Sequence, residues 1–503
     1  MAKRSTAFAL AAIAPDPHAA ASLYQQLYNN LRTAILTRRL GPGTKLPATR
    51  QLASELGLAR NTVVSAFEQL FAEGYLDSRT GDGTYVSHAV PDERLTVSAR
   101  SATGRAAGHK ANPALAQATI AVAGARLGVW SEDSTPQPFR PDMLALDHFP
   151  VDIWARLASR RWRNPGIELL GYGDPAGYPP LRAAVAAYLG ASRGVRCTAD
   201  QVLITTGAQL GLDLAIRTLL NPGDQVWVEN PGYRGMRGAL IALGAAMVPV
   251  PVDQEGIQVE EGIALAPTAR AVYVTPSHQY PTGAVLSLAR RLALLEWAQR
   301  TGAWIIEDDY DSEYRYTGRP LSSLQGLDSA ERVIYIGTFS KVLFPALRLG
   351  YLVLPAGLVE PFKRTRALCD RQAATVDQAV LTDFIEEGHF ARHIRRMRQL
   401  YADRQTTLVR ALHRLAPGWL EVENVEAGLH IVGWLPPGVD DHEVGRLMAA
   451  AGLETQLVSR DALTALARGG LLLGFAGLTH EQIEWGVAQL VPVLRGLRIP
   501  SQR

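Results

Sequence analysis

One lysine of this chain stands where it could react with an aldehyde. Lys341 closes the run GTFSK at residues 337–341, which lies between two apolar segments with the composition of strands. A lysine at the mouth of a buried sheet is partly desolvated, which lowers its pKa and favours the neutral amine that a Schiff base requires. Because most isolated lysines are simply solvated, this interpretation depends on the neighbours. Thr338 and Ser340 supply hydroxyl donors and Arg348 a cation, which suits a phosphorylated aldehyde.

A second polar group ends a different apolar segment. The sequence IIEDDY at residues 305–310 closes a predicted strand with carboxylates and a phenol. A carboxylate such as Asp308 can pair with a protonated pyridine nitrogen, and the Tyr310 phenol can bond a ring hydroxyl. Acidic strand ends are common, so this motif becomes specific only beside Lys341.

Two turns offer contacts to a phosphate and to an aromatic ring. Gly207, Ala208 and Gln209 lead from an apolar segment into a predicted helix, whose first amides suit a phosphate. Tyr233, in the turn PGY at residues 231–233, could stack on a cofactor ring, although a plain turn is the simpler interpretation.

The amino-terminal part has a different organisation. Leu23, Leu27, Leu31 and Ile35 recur every four residues and predict one buried helix face. A second helix over residues 49–56 and a third beginning near Arg60 precede a two-stranded wing around a glycine turn at residues 81–83, a scaffold that can lay its third helix in a major groove. The residues placed to contact DNA are Thr49, Arg50, Arg60, Asn61, Thr62, Arg79, Gly83 and Tyr85. The alternative is a small helical interaction domain with solvated arginines, since the region is only slightly positive.

The elements that must position these residues fall into three regions. We expect a winged-helix domain over residues 21–88 and a mildly basic linker rich in alanine, glycine and serine over residues 89–138, with a short helix within residues 113–125. From residue 139 to residue 503, apolar segments such as 202–205 and 271–274 alternate with amphipathic helices, which predicts an α/β fold with a mainly parallel sheet. Residues 388–503 are expected to form a small α/β lobe.

The bulk properties agree with an ordinary globular protein. The 503 residues are 47% hydrophobic and 20% charged, with a net charge of +3 that does not by itself indicate nucleic acid. Cys197 and Cys369 lie far apart, so we expect neither a disulfide framework nor a bound metal. The basic and apolar start of the chain resembles a short signal peptide. The predicted DNA-binding winged helix directly after it favours a soluble cytoplasmic protein instead.

The motifs resemble two families. LPATRQLA at residues 46–53, LARNTV at residues 58–63 and GDGTYV at residues 81–86 resemble, in this order, the winged helix-turn-helix of the GntR family. The chain from about Phe139 onward resembles a fold-type I pyridoxal-phosphate aminotransferase. This combination, with VTPSHQYPTG at residues 274–283, is similar to the MocR subfamily of GntR regulators, the GabR- and PdxR-like proteins.

The resemblance implies roles for individual residues. Lys341 would form the Schiff base with pyridoxal 5′-phosphate, Asp308 would face the pyridine nitrogen, Tyr310 would bind the ring oxygen and Tyr233 would stack on the ring. The phosphate would be held by Gly207, Ala208, Gln209, Thr338, Ser340 and Arg348. Tyr172 resembles the tyrosine that reaches the phosphate site of a neighbouring subunit, which implies a homodimer. The winged-helix resemblance implies that the partner is a double-stranded DNA operator.

Two positions depart from the aminotransferase pattern. Tyr280 stands where those enzymes have the asparagine that bonds the ring oxygen, and His278 could serve that oxygen instead. Leu472 stands where an arginine holds the substrate carboxylate, with Arg468 nearby but offset; without that bidentate partner a strong contact is lost. We therefore expect little transaminase activity.

Three functions follow from these residues. The first is a transcription regulator with pyridoxal phosphate, alone or with an amino compound, as effector in vitamin B6 or amine and amino-acid metabolism. The second is an active aminotransferase with a vestigial reader. The third is a DNA-binding dimer that ignores its cofactor.

Overall fold

The structure, a computed structural model, describes residues 13–17, 19, 21–79, 82–88, 115–125, 137–141, 143–318, 321–422 and 425–497. The chain separates into two units, residues 1–113 and 114–503. The predicted linker segments 89–114 and 126–136, the first twelve residues and Gly81 of the predicted wing turn lie outside the described residues. Among the helices described, none has the length and apolar character needed to span a bilayer.

The first unit has a core of its own. Its elements are α1 (Leu23–Leu36), β1 (Lys45–Leu46), α2 (Thr49–Leu56), α3 (Arg60–Ala72), β2 (Leu76–Arg79) and β3 (Gly83–Val86). Leu27, Leu31 and Ile35 are buried as predicted, but Leu23 is 36% exposed because it begins the helix, outside the packed turns. The wing has three strands, in the order β1-β3-β2, and not the two that the sequence predicts.

One helix forms within the predicted linker. Helix α4 (Gln117–Gly124) has no buried residue and no side-chain cap, and its mostly apolar sequence has no separate polar face. It packs against helix α9 (Arg234–Leu243) of the same unit. An isolated helix this short is unstable in water, so its contact with α9 is what stabilises it.

The second unit is built on an eight-stranded sheet with the order β4-β11-β10-β9-β8-β5-β6-β7. Its strands are β4 (Val202–Thr205), β5 (Gln225–Asn230), β6 (Ala246–Asp253), β7 (Gly256–Ile257), β8 (Ala271–Val274), β9 (Trp304–Asp309), β10 (Val333–Thr338) and β11 (Gly350–Val353). Neighbours from β10 to β6 pair in parallel, whereas β11 and β7 run antiparallel to theirs. The predicted mainly parallel sheet is confirmed.

Helices flank this sheet, and its central strands are apolar as a result. They are α5 (Val151–Arg163), α6 (Gly166–Leu170), α7 (Pro179–Arg193), α8 (Ala208–Leu219), α10 (Val259–Leu265), α11 (Leu288–Thr301), α12 (Leu324–Leu327), α13 (Val359–Cys369) and α14 (Thr375–Glu386). Every residue of β4, β8, β10 and β11 is buried, as expected for strands covered on both faces.

A small lobe completes the second unit. Helix α15 (His389–Leu415) leads into the antiparallel strands β12 (His430–Trp434), β14 (Gly470–Gly474) and β13 (Gln456–Leu457), with α16 (Asp441–Ala450) and α17 (His480–Arg495) beside them. Phe139 joins this lobe from far upstream: it bridges to Gly474 and is fully buried in the lobe core. The small lobe is therefore made from two distant parts of the chain.

Candidate functional site

The predicted cofactor residues meet at one edge of the large sheet. Strands β9 and β10 are parallel with Asp308 opposite Ile336, so Asp308 and the run that carries Lys341 leave the sheet at the same end. Lys341 is half-buried. Ligands of open α/β sheets bind in the crevice at these carboxyl ends.

Only one of the two carboxylate oxygens of Asp308 has a hydrogen-bond partner among the described residues. Its Oδ2 accepts a hydrogen bond of 2.8 Å from the Tyr273 hydroxyl, whereas its Oδ1 is buried and has no hydrogen-bond partner among the described residues. Burial raises the pKa of Asp308 to about 7, a rise that the hydrogen bond from Tyr273 and the charge of Lys341 oppose and the nearby Asp309 and Asp311 carboxylates reinforce. A protonated ring nitrogen would supply the donor that Oδ1 lacks.

The residues predicted to hold a phosphate include a turn where two backbone segments approach closely. Gly207 caps α8 with φ of +99°, and a Cβ there would lie 3.0 Å from the guanidinium of Arg348. A Cβ on Gly350 would lie 2.8 Å from the carbonyl carbon of Gly207 and 3.0 Å from the amide nitrogen of Ala208. Glycine is therefore required at both positions. The amides of α8 and the exposed Arg348, which donates to the Thr206 carbonyl at 3.2 Å, form an anion cradle.

The hydroxyls predicted for the phosphate lie next to this cradle. Thr338 ends β10, directly opposite Gly350, and its Oγ1 accepts from the Ser340 amide at 3.1 Å. The Ser340 Oγ is buried and finds no hydrogen-bond partner in the described part of the chain. This orphaned hydroxyl and the orphaned Asp308 oxygen both fit a bound phosphorylated pyridine.

Three tyrosines predicted to contact the cofactor ring lie close together. Tyr280 meets Tyr233 edge-on at 5.9 Å between ring centroids and Tyr310 at 6.1 Å. Gln456 of the small lobe donates to the Tyr280 hydroxyl at 2.5 Å. The Tyr233 hydroxyl donates to the side-chain carbonyl of Gln209 at 3.3 Å. The predicted residues Tyr233, Tyr280 and Tyr310 are thus brought together from three separate loops.

His278 is brought to the same place. Its Nδ1 lies 2.9 Å from the Tyr310 hydroxyl and 3.0 Å from Asp311 Oδ2. The imidazole thus contacts Tyr310, and the expectation that His278 serves the ring oxygen stays a prediction.

The wall beside Tyr280 is apolar. Val432, Val458 and Leu472 are buried together with Tyr280. Arg468 does not enter this cluster: it forms an ion pair with Glu421 at 2.5 Å. The position that the resemblance assigns to carboxylate recognition therefore holds a leucine packed in a hydrophobic cluster.

Tyr172 is the predicted cofactor residue that lies apart. It is 83% exposed, and the guanidinium of Arg371 stacks over its ring at 4.1 Å. Its predicted role requires a second copy of the chain and remains a prediction.

The predicted DNA residues occupy one end of two helices. Arg60 and Asn61 are exposed at the start of α3, and Thr62 is half-buried beside them. Ala59 precedes them without a side-chain cap, so no side chain occupies the first amides of α3, where a phosphate could bind. Thr49 and Arg50 begin α2 in the same way.

The wing presents a stacked cation. The guanidinium of Arg79 lies 4.6 Å from the centre of the Tyr85 ring, across from the exposed Gly83. The Tyr85 hydroxyl donates to Asp82 Oδ2 at 2.6 Å, and Lys45 pairs with Asp82 at 2.9 Å. These contacts fix Tyr85 as a platform for Arg79.

Sequence reasoning missed two polar partners of the site. Tyr273 is fully buried in β8, where it reads as one more apolar strand residue. Gln456 lies 176 residues from Tyr280, and nothing local marks it. Asp311 carried a signal, since it follows the acidic strand end closely.

Comparison with known proteins agrees with both units. Residues 144–468 match the family model "Aminotransferase class I and II", and residues 23–86 match "Bacterial regulatory proteins, gntR family". The chain is 40% identical to the probable rhizopine catabolism regulatory protein MocR of Rhizobium meliloti, over 94% of each chain. It is 31% identical to the pyridoxine biosynthesis transcriptional regulator PdxR of Corynebacterium glutamicum, over 95% of this chain and 97% of that one.

A solved structure resembles the second unit. The α-aminoadipate aminotransferase LysN of Thermus thermophilus, complexed with N-(5′-phosphopyridoxyl)-L-leucine, is 29% identical, with a TM-score of 0.66 over 71% of this chain and 92% of that one. Fold and site thus define a DNA-binding transcription regulator with a winged-helix reader and an aminotransferase-like domain. The chain belongs to the MocR subfamily of the GntR family.

The buried charge of Asp308 generates a pH-dependent prediction for the cofactor-free protein. Its pKa of about 7 in the folded chain exceeds the ordinary 3.8, so folding is penalised by this group as the pH rises from about 4 to about 7. Asp308→Asn should therefore raise the free energy of unfolding at pH 8 by about 2–4 kcal/mol and leave it unchanged near pH 4.

Urea unfolding at the two pH values measures this difference. The matched control is Asp403→Asn, since Asp403 is exposed on a helix and its removal should have a similarly small effect at both pH values. Equal stabilisation by Asp308→Asn at pH 4 and pH 8 would contradict the prediction.

Proposed function

We propose that this chain is a transcription regulator that binds pyridoxal 5′-phosphate at Lys341 and whose affinity for DNA depends on that ligand. The observation that most directly supports this proposal is the buried Oδ1 of Asp308, which has no hydrogen-bond partner among the described residues. It lies at the sheet edge that also holds Lys341 and the anion cradle at Arg348. We propose further that the regulator acts in the cytoplasm as a homodimer on a double-stranded operator. The exposed Tyr172 would then approach the phosphate of the second copy.

The residues of the site have distinct tasks in this proposal. When bound, pyridoxal phosphate supplies an aldehyde that condenses with a primary amine and a ring that withdraws electrons. Lys341 provides the amine and Asp308 holds a proton on the ring nitrogen. Arg348 and the first amides of α8 neutralise the phosphate, with Ser340 donating its hydroxyl.

A contact within the second unit supports coupling to the reader. Tyr233 is the residue that precedes the first turn of α9, and α4 of the predicted linker packs against α9. A ring stacked on Tyr233 therefore acts on the helix that contacts the linker. A ligand shifts a two-state equilibrium only through different affinities for the two states. We propose that the two states of this regulator, with and without bound ligand, differ in the position of α9.

The apolar side chains beside Tyr280 and the names of two relatives indicate which class of effector would bind. The relative named for pyridoxine biosynthesis favours vitamin B6 metabolism as the controlled process, and the one named for rhizopine catabolism favours an additional small effector. Leu472 and Val458 disfavour a carboxylate beside Tyr280, and Arg468 is paired with Glu421. An effector beyond the cofactor would then be an amine with an uncharged body.

Replacing the reactive amine tests the ligand. Lys341→Ala should stay colourless with pyridoxal phosphate, whereas the wild type should acquire visible absorbance. The wild type should change its operator affinity about tenfold or more on cofactor addition, and the variant should not, because allosteric couplings usually fall near 1–3 kcal/mol. Fluorescence anisotropy with an operator selected from random duplexes measures the change.

Lys363→Ala is the matched control, because Lys363 pairs with Asp174 and not with the cofactor cluster. A wild type that takes up the cofactor but binds DNA equally with and without it would establish the cofactor-indifferent alternative.

Arg60 tests the reader. Arg60→Ala should weaken operator binding by about 1–3 kcal/mol and flatten the preference among base-pair variants, if the side chain contacts a base edge. Arg414→Ala removes the same charge from an exposed position of the other unit and should have little effect. An unchanged binding isotherm for Arg60→Ala refutes the assignment.

An active aminotransferase is the second candidate, favoured by the likeness to LysN. Single-turnover absorbance changes with a panel of amino acids would detect it. Rapid turnover by a protein that selects no duplex from a random pool would support the enzyme over the regulator.

A further inference from the structure

We propose that Asp311 and His278 are positioning residues that set the direction in which the Tyr310 hydroxyl donates its proton. The inference rests on the proposed function, because the acceptor of the Tyr310 proton would be the ring oxygen of pyridoxal phosphate when it is bound. His278 lies in the loop after β8 and Asp311 in the loop after β9, and 33 residues separate them.

The geometry places one nitrogen between two oxygens. His278 Nδ1 lies 3.0 Å from Asp311 Oδ2 and 2.9 Å from the Tyr310 hydroxyl oxygen. The side chains of His278 and Asp311 are each 1% exposed, so water does not replace these contacts. A single nitrogen cannot both donate to one of these oxygens and accept from the other.

The carboxylate decides which role the nitrogen takes. An ionised Asp311 can only accept, so Nδ1 must carry the proton; an unprotonated Nδ1 would leave two acceptors facing each other at 3.0 Å. The same holds if the imidazole is doubly protonated. The Tyr310 oxygen then shares the Nδ1 proton as an acceptor, and its own hydroxyl proton is directed away from His278.

The opposite side of the imidazole is consistent with this tautomer. His278 Nε2 is buried and has no hydrogen-bond partner among the described residues. Buried donors without partners are rarer than buried acceptors without partners, which favours the proton on Nδ1. A Cβ on Gly428 would lie 2.5 Å from Nε2 and one on Gly283 would lie 3.2 Å away. The two glycines pack against the ring and hold its orientation.

The other nearby phenol has a different engagement. Tyr280 receives the amide of Gln456 at 2.5 Å, so its oxygen is drawn toward the small lobe. Tyr310 is therefore the phenol whose orientation the pair controls. A hydrogen bond from Tyr310 stabilises negative charge on the ring oxygen, which lowers the pH at which the nitrogen linking the cofactor to Lys341 loses its proton.

The tautomer can be measured in the cofactor-free protein. In spectra of protein labelled with ¹⁵N-histidine, with the His278 signals assigned through their loss in His278→Gln, Nδ1 should be the protonated nitrogen. A wild-type His278 that is protonated only on Nε2 overturns the proposal. This measurement stands whether or not the protein binds pyridoxal phosphate, so it separates failure of this inference from failure of the proposed function.

The consequence is measured in the loaded protein by a pH titration of visible absorbance. Tyr310→Phe should raise the midpoint by about one pH unit, the effect of losing a hydrogen bond to a charged oxygen. Asp311→Asn should raise it in the same direction, and it should add nothing in the Tyr310→Phe background. The side-chain carbonyl of Asp311→Asn could still accept the proton of His278 Nδ1. Asp311→Ala has no side-chain acceptor, so the same shift is expected in that variant even if Asp311→Asn shows none.

Two outcomes contradict the positioning role. A merely structural Asp311 would lower thermal stability or cofactor affinity in both backgrounds while leaving the absorbance midpoint at its wild-type value. Additive midpoint shifts in the double variant would show that Asp311 acts on the cofactor independently of Tyr310.

Discussion

The burial of carboxylates at the end of strand β9 is the constraint on which the rest of the structure depends. Glu307, Asp308, Asp309 and Asp311 follow one another closely, and none is more than 5% exposed. Removing an ionised carboxylate from water costs several kcal/mol unless it is paired. Glu307, Asp309 and Asp311 contact groups of other elements, so the start of α12, α7 and the loop after β8 are all held to this strand end.

Asp308 has a weaker hydrogen-bond partner than two of its neighbours. Asp309 accepts from the Arg193 guanidinium at 2.8 Å, and Glu307 accepts from two backbone amides. Asp308 accepts from the phenol of Tyr273, and its second oxygen has no partner among the described residues. A region that is locally less stable than it could be is a common price of binding function. Asp308 thus lacks the cationic partner that Asp309 has in Arg193, although Asp309 Oδ1 is also without a hydrogen bond among the described residues.

Much of this arrangement can be predicted from the sequence, and the exceptions have physical reasons. The apolar runs at residues 202–205 and 271–274 predict β4 and β8 with their observed bounds. That Asp308 and Lys341 lie at the same edge of the sheet follows because parallel strands have their carboxyl ends at one edge. The third strand of the wing is two residues long, too short to show a period. Gln456 reaches Tyr280 only through the tertiary packing of the small lobe, which no local pattern encodes.

The bridge between Phe139 and Gly474 has a consequence for synthesis of the chain. The core of the small lobe cannot close until Gly474 has been made, whereas the winged helix is complete at residue 88. At typical translation rates these points are separated by about 20–80 s. Each nascent polypeptide therefore passes through a period in which the winged helix is complete but the second unit is not.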